Sequence, residues 1–434
     1  MEYRLHYDRG FVTLEIPDRN VAGFVRPWQD AGPSDNSGAV RRALSGRGAT
    51  QLRRSAAGKR VCVLLNDGTR DTPYADVLEQ MLPLLTEGSF VRFAVCTGTH
   101  DGDTPENERI IRDVERLADA AGLRSRQICV HDHRSSSLVQ AGRTSRGTPI
   151  TYNPWLDEAD VFVVLSDVKV HYFAGYSNPV KNFVPGLCAY ETAEGNHSLS
   201  LDDRSTYGVH PWHADPARRD NPLACDQLEA MQRIVRGRGV YAFVTVSTSG
   251  RIQWAAFGPA AEVAPQAFAF ADEKNAHVVP PSPRMIVSPG GAPNDVDLYI
   301  AQRALELTAS AVTDGGEVLF ISACPKGVGE PHTMENFFNR LTRPLDEIFA
   351  SIQGEYKLFS HKPYKFARMI ERFRRIWMFT EIPDAQVSAA HLYPTRDPQA
   401  VVDGWLAQDP QTRILVVDGA NKVCLYPARS AVRQ

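Results

Sequence analysis

The chain has 434 residues, more than one hydrophobic core normally organises, and its 43% hydrophobic content can fill two domains of ordinary size. Its 48 lysine and arginine residues nearly balance 51 aspartate and glutamate residues, which leaves a net charge of -3. Because the basic residues are scattered along the chain, we expect no nucleic acid and no membrane as a partner. The expected partner is a small molecule.

The location and redox state of the protein follow from what its sequence lacks. The opening MEYRLHYDRGFVTLEIP does not have the charged-then-apolar layout of a signal peptide, and no apolar run approaches the roughly 20 residues that span a bilayer. The cysteines are dispersed without a CxxC pair, which favours buried, reduced thiols over a zinc site or a disulfide framework. We therefore expect a cytoplasmic enzyme.

The first half of the chain alternates short apolar runs with helical patterns. A small β element is predicted around 12–16, followed by a Pro/Gly/Ser-rich stretch at 27–38. Thr-Pro pairs at 72–73 and 104–105 begin helices, with the threonine as cap. Runs typical of buried strands lie at 60–65, 90–95 and 160–166. These are βαβ units of a mostly parallel sheet, so their polar loops should meet at its carboxyl edge, where such sheets bind ligands.

A second α/β domain is predicted after a proline-containing linker at 272–284. Strand patterns recur at 285–287, 317–321 and 413–417, between helical segments at 296–310, 333–352 and 362–376. The predicted fold is thus two α/β domains with mostly parallel sheets and an active-site cleft between them. The N-terminal domain, carrying the cofactor, covers 1–275 and the C-terminal domain covers 284–434. The last predicted strand, at 413–417, could instead return to the sheet of the N-terminal domain.

The loop at 66–73 joins a strand end to a helix N-terminus, where free backbone N–H groups and the helix dipole favour an anion. Thr69 and Arg70 add side-chain donors that suit a phosphate. An ordinary capped turn with a surface arginine explains this pattern equally well.

Three histidines and one lysine are candidates for chemistry. His100 and His171 stand on separate predicted loops, and two bases on separate loops suit a reaction that handles a stereocentre from both faces. Lys181 follows a run rich in aromatic residues, where an amine can be desolvated and nucleophilic. His197 could supply a neutral imidazole to a late first-row metal such as nickel.

Other functional classes remain open on residue patterns alone. His131 and His133, together with His171, could form a zinc-dependent hydrolase site, although no third ligand stands at a recognisable spacing from the HxH pair. A non-enzymatic phosphate-binding protein could use the loop at 68–70. A nicotinamide dehydrogenase is disfavoured, because no GxGxxG element opens a helix with an acidic residue about 20 positions on.

Five segments, in order, resemble elements of the lactate racemase family. The first three are Asp67-Gly68-Thr69-Arg70, similar to a DxTR element, Thr97-Gly98-Thr99-His100, similar to TGTH, and His171 to Lys181, similar to HxxAG(F/Y)S…K. The last two are Pro185-Gly186 with Asn196-His197, similar to PG…NH, and Gly290 to Tyr299, similar to GGxPxDxxLY. Five such segments in the same order identify the family far more specifically than any one of them does.

The resemblance implies a cofactor that composition could not show. This is the nickel-pincer nucleotide, a pyridinium-3-thioamide-5-thiocarboxylic acid mononucleotide joined covalently to Lys181, with His197 as the protein ligand to nickel. The resemblance also implies transient contact with cofactor-biosynthesis enzymes. The residues it places at the cofactor and its phosphate are Asp67, Gly68, Thr69 and Arg70.

The activity implied by the resemblance is an isomerase, a racemase or epimerase that inverts C2 of a 2-hydroxy acid. His100 and His171 would be alternating general bases, while the C2 hydrogen moves as hydride to and from the cofactor. Residues implied at the substrate are Tyr299, Ile300 and Arg303.

The chain departs from the family at several positions. Asn178-Pro179 stands where members commonly have Gly-Gly, and Ile300 and Arg303 replace a glutamine and a lysine of lactate-specific members. We expect lactate or a related short aliphatic 2-hydroxy acid as substrate, because Ile300 offers an apolar wall. A sugar-acid 2-epimerase, acting on a compound such as gluconate, is the alternative with the same cofactor.

Overall fold

The computed structural model describes residues 1–28, 35–70 and 72–428. The chain forms two compact units, unit 1 from residues 1–29 and 274–434, and unit 2 from residues 30–273. Each unit is built on a six-stranded sheet that is mostly or wholly parallel. The predicted fold class, α/β with mostly parallel sheets, is confirmed. Part of the predicted stretch at 27–38, residues 29–34, lies outside the described residues.

The amino-terminal residues belong to unit 1. Glu2–Tyr7 (β1) and Gly10–Glu15 (β2) form an antiparallel hairpin, and Val21–Val25 (β3) pairs in parallel with the strand at 414–418. The sequence pattern predicts that these residues belong to an N-terminal domain ending at 275. The structure groups them with the C-terminal residues, because strand pairing across nearly 400 positions leaves no local pattern to read.

The described residues of unit 2 form ten strands. Its main sheet has the order β13-β12-β9-β4-β5-β6, in which only the β12–β13 pair is antiparallel. The strands are Arg60–Asn66 (β4), Phe90–Cys96 (β5), Arg126–Val130 (β6), Val139–Arg143 (β7), Pro149–Tyr152 (β8), Val161–Asp167 (β9), Val170–His171 (β10), Gly175–Tyr176 (β11), Gly239–Thr248 (β12) and Arg251–Pro259 (β13).

The helices of unit 2 pack against this sheet and against the β7–β8 pair. They are Asn36–Leu44 (α1), Arg47–Ala56 (α2), Tyr74–Met81 (α3), Pro105–Ala120 (α4), Pro179–Phe183 (α5), Tyr190–Ser198 (α6), Pro222–Val235 (α7) and Ala260–Asn275 (α8). In α4 the apolar residues Ile110, Val114 and Leu117 recur at helical spacing and pack into the core, and the Thr104 hydroxyl caps its amino end, as predicted. Helix α3 begins one residue later than predicted, with Pro73 at the cap position.

Unit 1 continues after α8 with a parallel sheet of the order β18-β17-β16-β15-β19-β3 and a separate β14–β20 pair. Its strands are Ala276–Val279 (β14), Ser282–Ser288 (β15), Val312–Ile321 (β16), Arg375–Phe379 (β17), Tyr393–Thr395 (β18), Ile414–Asp418 (β19) and Cys424–Pro427 (β20). Its helices are Leu298–Thr308 (α9), Phe338–Leu341 (α10), Leu345–Gly354 (α11), His361–Arg372 (α12), Asp384–Ala389 (α13) and Pro398–Gln408 (α14). The strand at 414–418 thus stays in unit 1.

Three segments of unit 1 differ from the sequence prediction. Residues 272–284, predicted as a linker, contain the end of α8, all of β14 and the start of β15. The helix predicted at 333–352 is divided into α10 and α11, with Pro344 capping the second helix. The helix predicted at 362–376 ends at Arg372, because residues from 375 onward pair with β16 as β17.

The topology of unit 2 explains where its candidate residues lie. Strands β9, β4 and β5 are parallel neighbours, so the loops that follow them emerge at the same edge of the sheet. Those loops carry the segments at 67–73, 97–104 and 168–178. Among the described residues, no helix is long and apolar enough to cross a membrane.

Candidate active site

A histidine–carboxylate pair joins two loops of unit 2. His100 Nδ1 lies 2.7 Å from Asp67 Oδ2, and the Thr69 hydroxyl donates to Asp67 Oδ1 at 2.7 Å. Burial of Asp67 opposes its ionisation and is the largest single influence, yet His100, Thr69 and Arg70 together lower its pKa below the usual value. Because a carboxylate only accepts, the neutral ring of His100 carries its hydrogen on Nδ1 and has its lone pair on Nε2. His100 is therefore presented as a base.

The loop after β4 is fixed by the helix that follows β5. Gly68 N–H donates to Asn107 Oδ1 at 2.9 Å, and Asn107 Nδ2 donates to the Gly102 carbonyl at 3.0 Å. A Cβ at position 68 would lie 2.2 Å from Glu106 Cβ, so this close approach requires glycine. The amide of Gly68 and the hydroxyl of Thr69 are thus engaged within the protein, whereas the side chain of Arg70 is exposed.

A second group of residues surrounds the ring of Phe173, which is buried. The imidazole of His171 lies 4.5 Å from that ring, the imidazole of His197 lies 5.2 Å from it, and Lys181 Nζ lies 5.8 Å from it. These four residues are referred to below as the Phe173 cluster. It brings together two sequence-predicted histidines and the predicted attachment lysine from β10, α6 and α5.

The charge state of His197 suits metal coordination. Burial lowers its pKa to about 3, the positive charge of Lys181 adds to that effect, and a hydrogen bond with the Ala193 carbonyl opposes it. The imidazole is therefore neutral at physiological pH, which is the form that binds a divalent metal.

The two candidate bases have different local hydrogen bonds. Ala174 N–H donates to Nδ1 of His171 at 3.3 Å, so a neutral His171 carries its hydrogen on Nε2. His100 has the opposite arrangement. One ring thus presents a lone pair and the other presents an N–H group.

Asn182, which sequence reasoning missed, connects the helix that carries Lys181 to the loop at 66–73. Asn182 Nδ2 donates to Asn66 Oδ1 at 2.9 Å, and Asn66 Nδ2 donates to the Thr72 hydroxyl at 2.8 Å. Gly98 N–H also donates to the Gly186 carbonyl at 3.0 Å, which ties the TGTH loop to the chain after α5. The only sequence signal for Asn66 and Asn182 was their position beside Asp67 and Lys181.

Asn178, one of the departures from the family pattern, has a local role. Its Oδ1 accepts from Val180 N–H at 2.9 Å and its Nδ2 donates to the Tyr176 carbonyl at 2.9 Å. Asn178 is 1% exposed and caps the helix that carries Lys181. Its amide is therefore committed to the backbone of its own loop.

The histidines of the hydrolase alternative have structural partners. His131 is 1% exposed, and its Nε2 lies 2.8 Å from the Cys188 carbonyl. Burial lowers its pKa to about 4. His133 packs against Tyr190, with ring centroids 6.0 Å apart. Across residues 1–28, 35–70 and 72–428, no three His, Cys, Asp or Glu side chains are grouped as they would be to hold a metal ion.

The residues predicted to contact substrate lie on one helix of unit 1, α9. The Asp297 carboxylate caps this helix by accepting from Ile300 N–H at 2.7 Å. Tyr299 packs edge-to-face against Phe337 and Phe359, at 5.3 and 6.1 Å between centroids. The side chain of Ile300 is 39% exposed, and Arg303 is partly buried one turn further on.

Unit 1 also contains a buried lysine that sequence reasoning missed. Lys362, on α12, is 7% exposed, and its Nζ lies 3.9 Å from the centroid of the Tyr299 ring and donates to the Tyr299 carbonyl. Burial lowers its pKa to about 7, against the influence of Asp297 and Glu306 and with a smaller contribution from Arg303. No motif in the sequence singled this residue out.

Comparison with known proteins agrees with the motifs. Residues 7–208 match the family described as lactate racemase N-terminal domain, a range that contains all the unit 2 candidates described above. The amino-terminal part of this chain is thus similar to the lactate racemases. The chain is 24% identical over 331 residues to the lactate racemase of Thermoanaerobacterium thermosaccharolyticum, covering 74% of each chain. It is 28% identical over 204 residues to that of Lactiplantibacillus plantarum, covering 45% of this chain and 46% of that one.

Solved structures show the same fold. The lactate racemase apoprotein of T. thermosaccharolyticum aligns over 98% of this chain and 100% of its own, with a TM-score of 0.82 at 21% identity. A Thermotoga maritima protein aligns over 92% of this chain and 100% of its own, with a TM-score of 0.61 at 15% identity. The expected resemblance to lactate racemases is confirmed, and these homologues indicate that the protein is an isomerase.

Proposed function

We propose that this protein inverts C2 of a short aliphatic 2-hydroxy acid, lactate or a close homologue, using a nickel-pincer nucleotide attached to Lys181. The observation that carries the proposal is the Phe173 cluster, in which a lysine amine and a neutral imidazole face one aromatic ring beside a second histidine. A histidine–carboxylate pair on the neighbouring loops supplies the other base. This is the set of groups that the reaction needs.

The residues present fit the implied cofactor. Lys181 supplies the primary amine for a thioamide linkage, and the neutral ring of His197 supplies a nitrogen donor for nickel. The amine and this nitrogen donor contact the same aromatic ring, since the His197 imidazole lies 5.2 Å and Lys181 Nζ lies 5.8 Å from the Phe173 ring. When bound, the nucleotide would supply a hydride acceptor and donor for C2 of the substrate.

The residues of the loop at 67–70 have different roles in the proposal. Arg70 is the exposed cation suited to a cofactor phosphate, with backbone N–H groups near the start of α3 as further donors. Asp67 is committed to His100 and Thr69, so its proposed role is to orient the base and stabilise its protonated form. Gly68 would let the loop approach α4 closely.

The chain's own groups move the hydroxyl proton. His100, with its lone pair on Nε2, would take this proton from one enantiomer. His171, in its imidazolium form, would return a proton to the carbonyl oxygen of the oxo acid and be left neutral. The reverse sequence serves the other enantiomer. Arg303 would hold the substrate carboxylate, and Ile300 would contact an aliphatic side chain.

The test of the proposal starts from protein coexpressed with cofactor-forming enzymes. Intact-mass and nickel analyses are expected to show one adduct and one metal, and the loaded protein should racemise a 2-hydroxy acid. Lys181→Ala should lose the adduct and the activity together, while Lys59→Ala, a change at an exposed lysine of the same unit, should keep both. Racemisation by adduct-free protein would disprove the role of Lys181.

Turnover in deuterium oxide tests how the C2 hydrogen moves. If the chain's histidines handle only the hydroxyl proton, C2 of the product should carry no solvent deuterium, as measured by mass spectrometry. Rapid incorporation of deuterium at C2 would instead indicate a carbanion and contradict the hydride mechanism.

A further inference from the structure

We propose that Lys362 is a positioning residue for the substrate-binding end of α9, holding the first turn of that helix so that Tyr299 and Arg303 are correctly placed. The substrate part of this inference rests on the proposed function. The structural part rests on the contacts of Lys362 alone.

The contacts of Lys362 converge on the start of α9. Its ammonium donates to the Tyr299 carbonyl and lies 3.9 Å from the centroid of the Tyr299 ring. Its own carbonyl accepts from Gln302 Nε2 at 2.9 Å. In an α-helix the carbonyl of residue 299 also accepts the N–H of residue 303, so the lysine binds the turn that carries Arg303.

The remaining contacts of this turn show how the lysine completes it. Leu298 N–H donates to the Gly327 carbonyl at 3.1 Å and Tyr299 N–H donates to the Val328 carbonyl at 3.2 Å. The Tyr299 ring meets Phe337 and Phe359 on two sides and the ammonium on another. The ammonium thus combines a hydrogen bond with a cation–π contact, and both orient Tyr299.

The charges around Lys362 make this contact sensitive to pH. The carboxylates that influence it are Asp297, which caps α9, and Glu306 on the same helix, while Arg303 supplies the opposing positive charge. Lys365, one turn along α12, influences Glu306 as well. Since burial lowers the pKa of Lys362 to about 7, its charge is lost as pH rises through neutrality, and the positive potential beside Arg303 falls with it.

Kinetics of the cofactor-loaded protein tests the substrate part. Lys362→Met should raise KM for the 2-hydroxy acid by about tenfold with a smaller change in kcat, because a charge near the carboxylate anchor is lost. KM of the parent should rise between pH 6 and pH 9. Lys362→Arg, which keeps the charge, should recover most of the affinity and remove that pH dependence. Lys365→Met is the matched control on the same helix and should leave KM unchanged.

Hydrogen–deuterium exchange of the apoprotein tests the structural part without any activity. Amides of residues 298–303 should exchange several-fold faster in Lys362→Met than in the parent or in Lys365→Met at pH 6.5. If the parent racemises no 2-hydroxy acid, the proposed function fails, while faster exchange in Lys362→Met still supports positioning by Lys362. Unchanged exchange in α9 of a folded Lys362→Met protein, or an unchanged KM, would overturn the inference.

Discussion

The two units present their candidate residues in different ways. In unit 2 the two proposed bases and the proposed attachment lysine come from several loops and short elements that follow β4, β5 and β9. In unit 1 the substrate candidates all lie on the first turns of α9, which follows β15. The first arrangement assembles reactive groups from distant parts of the chain, and the second presents a recognition surface on one rigid element.

The networks that hold the two sets differ as well. The unit 2 residues are linked by polar contacts between neutral and charged groups, such as the Asp67–His100 and Asn182–Asn66 hydrogen bonds. Around α9, Tyr299 is enclosed by aromatic rings and a buried ammonium. We expect substitutions in unit 2 to reduce kcat and substitutions in unit 1 to act mainly on KM.

The largest effects are expected from the two proposed bases. His100→Gln and His171→Gln should each lower kcat in both directions by roughly 10²–10⁴-fold, the usual cost of losing a general base. Asp67→Asn should cost less, because the hydrogen bond to His100 can remain while the charge is lost. Racemisation rates from each enantiomer, measured by chiral chromatography, provide the test. If one of these variants changed only KM and kept the kcat of the parent, the proposed contrast between the units would be wrong.

His197 should separate metal binding from cofactor attachment. His197→Ala removes one nitrogen donor but not the Lys181 amine, so the protein should keep the mass of the adduct while losing nickel on dialysis. Nickel analysis before and after dialysis measures this. Nickel retained as firmly as in the parent would count against His197 as the ligand.

Arg303 and Ile300 should determine which acids are accepted. Arginine offers a fixed fork for a carboxylate where lysine is a mobile point charge, so Arg303→Lys should lower kcat/KM by about 10- to 100-fold, mainly through KM. Ile300→Gln should weaken the preference for aliphatic side chains. The comparison uses lactate, 2-hydroxybutyrate, malate, phenyllactate and gluconate with each protein.

The same panel decides between the two substrate classes. Asn178 adds a polar amide where family members commonly have glycine, but this amide is bonded to the backbone of its own loop. Good turnover of gluconate with little turnover of lactate would reverse the aliphatic preference. No effect of Arg303→Lys on any acid would remove the carboxylate assignment.

The smallest predicted effect is on stability. The folded protein holds the Lys362 proton less tightly than the unfolded chain does. The unfolded chain therefore binds more protons between about pH 7 and 10.5, and the free energy of unfolding of the parent rises with pH in that window. Lys362→Met lacks this titration. Its stability relative to the parent should therefore fall by about 1 kcal/mol or more from pH 6 to pH 9. Urea unfolding followed by circular dichroism at both pH values measures the difference, and equal differences would contradict it.

Local patterns predicted the strands that position the unit 2 site. The apolar runs at 60–65 and 90–95 are buried strands β4 and β5, and Thr104 caps α4 as expected. They failed where a distant partner decides the structure. Residues 375–376 continue a helical pattern, yet pairing with β16 makes them part of β17.

Most candidate site residues were also visible in the sequence, but their relationships were not. Motif spacing suggested His100, His171, Lys181 and His197. The hydrogen bond of His100 with Asp67, 33 positions away, has no sequence signature, and neither does the meeting of three candidates at Phe173. Lys362 lies 63 residues from Tyr299 and resembles any other lysine of an amphipathic helix until its burial is seen.

The sequence by itself determined the α/β class, the main strands and the set of reactive residues, because periodicity and turn chemistry act over a few neighbouring residues. Tertiary structure decided that residues 1–29 join the C-terminal unit, that Asp67 belongs to His100, and that Lys362 is buried against Tyr299. These outcomes depend on strand pairing and burial between residues far apart in the chain, and it is those long-range contacts that set the tautomers and pKa values of the candidate site.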